Sequence, residues 1–181
     1  MREQWHGVKT VFEALSYILK SMAPDGIEMF YTVSYDTWRR HNTSELGVYL
    51  EKKEVAGDTD ISYRLGLQLQ SYKVKIHPTP RKASSKLKKV RPMSFYILTD
   101  GNWKAGGDAK AIVAIKDIAD HLIKANLKSG QLAIQFISFG QNVEALQRMN
   151  HLARTDFVLY VLTPLPVCAY ITICMLTYCI T

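Results

Sequence analysis

Three short apolar, β-branched and aromatic runs punctuate this 181-residue chain, and stretches of helical periodicity separate them. That alternation constrains the fold more than any other feature. The runs are Ile27 to Ser34, Met93 to Thr99 and Leu132 to Phe139, each of a length and composition suited to a buried strand. Between and around them, apolar residues recur at three-and-four spacing. Trp5, Val8, Val11, Phe12, Leu15, Ile18, Leu19 and Met22 mark a helix over about 3–22 that Pro24-Asp25-Gly26 ends. Ile61, Leu65, Leu69 and Tyr72 mark a second, and Ile112, Ile115, Ala119, Leu122 and Ile123 a third behind Asp108 as its cap. Thr43 caps a shorter helix through about Lys53, and a last helix runs from Val143 to about Leu152. Strands alternating with helices predict a mainly parallel sheet with helices on both faces.

The net charge of +7 suggests acidic partners until it is located. Lys73, Lys75, Arg81, Lys82, Lys86, Lys88, Lys89 and Arg91 fall in one stretch that contains no acid, whereas the rest of the chain holds 15 basic and 16 acidic residues. The basic character belongs to a single segment, and His77 to Pro92 within it, rich in Pro, Lys and Ser, reads as a surface loop. It lacks interleaved aromatics apart from the flanking Tyr72, which favours a solvated loop, with binding to nucleic acid or anionic membrane as the alternative. All three cysteines, Cys168, Cys174 and Cys179, lie in the last fourteen residues, so no disulfide braces the body, as suits a reducing compartment.

In a parallel sheet, ligands gather beyond the carboxyl ends of the strands, which directs attention to Thr99-Asp100-Gly101. Ile97-Leu98-Thr99-Asp100-Gly101 resembles the strand-end motif of von Willebrand factor A domains, and Gly57-Asp58-Thr59-Asp60-Ile61 resembles that family's threonine loop. The similarity is strongest to fungal intracellular members, through Thr99-Asp100-Gly101-Asn102-Trp103, Gln135-Phe136-Ile137-Ser138-Phe139-Gly140, Leu146 and His151-Leu152, over roughly residues 5–152.

The resemblance implies a doubly wound, Rossmann-like α/β domain over residues 1–155, incomplete at its N-terminus because the family's first, central strand and its Asp-x-Ser-x-Ser motif have no counterpart. It further implies a degenerate metal site at Thr59 and Asp100, and a face around Asp58, Asp60, Gly101 and Trp103 that meets a partner protein. Mg²⁺ wants six oxygens at about 2.0–2.1 Å, so one hydroxyl and one carboxylate hold Mg²⁺ or Mn²⁺ weakly at best, and no other cofactor is implied. The absent strand leaves its neighbours without backbone partners, so either another segment fills the gap or the chain is a truncated, non-functional product.

Enzyme chemistry finds no foothold. Gly101 to Gly107 superficially resembles a phosphate loop but lacks the required Lys-Ser/Thr pair, and the five histidines show no metalloprotease spacing. No Gly-x-Ser-x-Gly elbow and no Cys–His pairing is present. The expectation is a non-enzymatic, cytoplasmic interaction module. Residues 156–181 stand apart from it: the 25 residues from Phe157 to Thr181 carry no charge. That is enough to span a hydrocarbon core of about 30 Å, which needs roughly 20 residues. The alternative expectation is therefore a tail anchor with a cytosolic body.

Overall fold

A computed structural model describes residues 4–23, 25–32, 37–52, 60–76, 90–127, 130–139, 142–153 and 170–175. Among them the elements run α1 (Trp5–Leu19), β1 (Ile27–Tyr31), β2 (Thr37–Arg40), α2 (Thr43–Glu51), α3 (Ile61–Ile76), β3 (Met93–Thr99), α4 (Gly107–Lys124), β4 (Leu132–Ser138), α5 (Val143–Ala153) and β5 (Tyr170–Met175). The strands form one five-stranded sheet in the order β2-β1-β5-β3-β4, parallel throughout except for the antiparallel edge strand β2. The chain is a mixed α/β structure, as its alternation of strand and helix predicts.

The central position falls to β5. It pairs in parallel with β1 from Ile27↔Ile171 to Tyr31↔Met175, and with β3 from Met93↔Tyr170 to Leu98↔Met175. Without it, the sheet would separate into a β2–β1 hairpin and a β3–β4 pair, each exposing a row of unpaired backbone groups. Part of the uncharged tail thus supplies the middle strand of the sheet. Among the described residues, no helix is long and apolar enough to cross a membrane.

Period-two alternation along β3 divides the interior into two cores. Met93, Phe95 and Ile97 pack with Ile61, Leu65, Leu69 and Tyr72 of α3, Ala111 and Ile118 of α4, and Leu152 of α5. Tyr96 and Leu98 point the other way, onto Val8, Phe12 and Leu19 of α1 and Leu46 and Leu50 of α2. All seven residues of β3 are buried, so a strand read as a continuous apolar run is covered on both faces. Each large apolar side chain taken from water there contributes about 1.5–3 kcal/mol.

Several boundaries differ from the sequence reading. β2 was not expected: three of its four residues are exposed and show no apolar alternation, and the antiparallel pairing with β1, not burial, makes it a strand. Gly26 permits that hairpin. Its φ is +85°, and a Cβ there would lie 2.5 Å from the Arg40 carbonyl oxygen. Asn42, not Thr43, caps α2, its Oδ1 accepting from the Ser44 amide at 3.1 Å. Gly106, in the left-handed conformation, precedes α4 in place of the expected Asp108 cap, and Asp108 sits in the first turn. Ile123, expected to face inward, is exposed, whereas Leu122 beside it packs against the core.

Candidate functional site

The four parallel strands end at one edge of the sheet, where Tyr31, Met175, Thr99 and Ser138 lie in register or one step apart. Thr99-Asp100-Gly101 leaves β3 at this edge, and the local chemistry holds it rigidly. The Thr99 hydroxyl oxygen accepts from the Gly101 amide and from the Trp103 indole N–H, both at 2.9 Å. Asp100 is buried, and its Oδ1 accepts from the Asn102 amide at 3.1 Å. Gly101 takes φ +73°, a conformation open to glycine at little cost.

Helix α5 clamps the loop from outside. Asn142 caps it, its Oδ1 accepting from the amides of Glu144 at 2.9 Å and Ala145 at 3.2 Å, while its Nδ2 donates to the Asn102 side chain at 3.2 Å. One turn on, the Arg148 guanidinium donates to the Gly101 carbonyl at 3.0 Å and to Glu144 at 3.3 Å. Between them, Ala145 leaves no room for a side chain at position 101.

Of the residues expected at a partner-binding face, Thr59 and Asp58 lie outside the described residues. Asp60 opens α3 as its cap: its Oδ1 accepts from the Ser62 hydroxyl, the Ser62 amide at 3.0 Å and the Tyr63 amide at 3.3 Å. These bonds, the Ser62 hydroxyl above all, hold its carboxyl below the ordinary value. Gly101 and Trp103 are buried, contrary to expectation. The Trp103 ring sits 6.1 Å from Phe136, and its N–H is committed to Thr99. The tryptophan locks the loop from beneath and presents no ring to a partner.

Of the two candidate metal ligands, Thr59 and Asp100, only Asp100 is among the described residues. Both lone pairs of the Thr99 oxygen are occupied by N–H donors, which leaves it no coordinating capacity. No group of three or more His, Cys, Asp or Glu side chains suited to a metal occurs among the described residues. Two arginines, moreover, bring positive charge to this edge. Arg148 binds the loop carbonyl, and Arg64 of α3 is buried with its Nε donating to the Tyr31 carbonyl at 3.2 Å and its guanidinium 5.4 Å above the Phe30 ring. The sequence reading passed over both. Arg64 carried a readable signal, since it interrupts the apolar stripe between Ile61 and Leu65 where a charge needs a buried partner.

The basic stretch is only partly described. Lys73 and Lys75 belong to the last turn of α3, where Lys73 forms an ion pair with Asp117 of α4 at 2.7 Å and Lys75 is exposed. Arg91 pairs with Asp25. Arg81, Lys82, Lys86, Lys88 and Lys89 lie outside the described residues. No protein-family model, curated protein or solved structure matches this chain.

Proposed function

We propose that the chain is a non-enzymatic protein-interaction domain, a doubly wound sheet of the von Willebrand factor A type, whose partner face is the carboxyl edge of the sheet and whose metal-ion-dependent adhesion site is degenerate. The observation that carries the reading is Asp100: a buried carboxylate directly after β3, at the edge where four parallel strands end, accepting from the Asn102 amide in a loop that Thr99 and Arg148 brace through Gly101. A preorganised loop of this kind suits recognition, because little ordering remains to oppose binding. Arg64 and Arg148 brace this edge from within, each donating to a backbone carbonyl, and Arg148 also pairs with Glu144. A rival reading through the basic stretch would rest on residues other than Lys73 and Arg91, which already form ion pairs.

The test is proximity labelling in intact cells with the full chain and its Asp100→Ala variant, after matched melting temperatures have been confirmed. A partner labelled by the parent chain and lost with Asp100→Ala supports the proposal. Substrate turnover abolished by the same substitution would replace it with a hydrolase.

A further inference from the structure

A second surface lies across the sheet from α3 and α4, between α1 and α2. Phe12 forms part of its lining, Gly47 and Val48 line it from α2, and it encloses about 360 Å³. Gly47 borders open space, since a Cβ there would meet no atom within 4 Å. Val48 is half exposed and Tyr17, beside it, is almost fully so, leaving apolar surface at the mouth. Two further features are polar. Glu13 and Glu51 line the groove with no basic residue, and neither forms an ion pair among the described residues. Ser16 also lines it, 2% exposed, and its hydroxyl has no hydrogen-bond partner among the described residues.

We infer that this groove binds a short cationic segment of a partner protein, in which one apolar side chain enters beside Phe12 and Val48 and flanking lysine or arginine side chains reach Glu13 and Glu51. The charge complement selects the occupant. A wholly apolar segment would leave two carboxylates without partners at the mouth, and an acidic one would be repelled by both. The Ser16 hydroxyl beneath the groove is buried without a hydrogen-bond partner among the described residues, and a small shift of the groove wall would let an entering segment supply one. This proposal concerns a face other than the carboxyl edge, and it stands whether or not that edge binds a partner.

The experiment is fluorescence anisotropy on the full chain with two labelled short peptides, one of leucine and lysine and one of leucine and glutamate. The parent chain is expected to bind only the cationic peptide. Gly47→Leu should abolish that binding by filling the groove while leaving the melting temperature unchanged or higher, since leucine is the better helix former. Glu13→Lys with Glu51→Lys should weaken it about tenfold, the scale expected for two exposed ion pairs, and should admit the acidic peptide. Failure of the cationic peptide to bind, equal binding of both peptides, or binding that survives Gly47→Leu would overturn the proposal.

Discussion

Gly101→Ala should be among the most damaging single-methyl additions to this chain, and Gly106→Ala shows how much of the damage is steric. The two glycines share nearly the same backbone conformation, φ +73° and +74°. An alanine forced into the left-handed region costs about 1–2 kcal/mol at either position. Their surroundings differ. A Cβ on Gly106 meets nothing within 4 Å, whereas a Cβ on Gly101 would lie 2.6 Å from the Ala145 Cβ and 3.0 Å from its Cα. Carbon atoms rest at about 3.5–4.0 Å, so α5 must shift or the loop must open, and overpacking of this kind costs about 1–3 kcal/mol more. The expected totals are about 1–2 kcal/mol for Gly106→Ala and about 2–5 kcal/mol for Gly101→Ala, read from urea denaturation followed by circular dichroism. Ala145→Gly should recover part of the Gly101→Ala loss in the double variant, because it removes the nearest contact and leaves the two backbone ones. Equal costs for the two alanine variants, within about 0.5 kcal/mol, would refute the claim that α5 clamps the loop.

Other outcomes follow from single residues. Asp60→Ala should cost about 0.5–2 kcal/mol through loss of the α3 cap. Because the folded carboxyl is held below its ordinary value of 3.8, that contribution should be full above this value and fade as pH falls through the lowered one. Burial raises Tyr72 to about 12, and Tyr31 and Tyr96 also upward, so stability should hold below pH 10 and fall beyond it. Tyr72 alone should account for roughly 2–3 kcal/mol of that fall by pH 12, and a flat profile across this range would show that the three hydroxyls are not buried. Tyr72→Phe should remove its share of the alkaline loss but cost about 1–3 kcal/mol at neutral pH, since the hydroxyl accepts from Gln131 Nε2 at 2.7 Å and donates to the Arg91 carbonyl at 2.8 Å. Mg²⁺ or Mn²⁺ should bind no more tightly than about millimolar. Micromolar calorimetric affinity lost with Asp100→Ala would contradict the degenerate site.

The elements legible in the sequence were those whose burial is self-evident. Met93–Thr99 reads as a strand because every residue is apolar or small, and it is buried throughout. The stripe Ile61, Leu65, Leu69 and Tyr72 falls on the buried face of α3 as its spacing requires. β2 escaped because its partner strand, not its composition, defines it. Tyr170–Met175 was read as part of a membrane run because it carries no charge, yet a strand with neighbours on both sides has the same composition. The described strand is six residues long, whereas a membrane-spanning helix needs roughly 20. Trp103 was expected at the partner face through the family resemblance alone. Its indole N–H, reaching back four residues to Thr99, puts it in the core, and no periodicity reports a contact of that kind.

The position of β5 bears most directly on the account, since both the continuity of the sheet and the edge that carries Asp100 depend on it. Hydrogen exchange of the full chain, resolved to single amides by NMR, measures it. With β1 on one side and β3 on the other, the interior amides of Tyr170–Met175 should be protected to the same free energy as those of Met93–Thr99, close to that of global unfolding. Exchange of 170–175 at the rate of an unstructured peptide, with Met93–Thr99 still protected, would contradict a central β5 and the five-stranded sheet built around it.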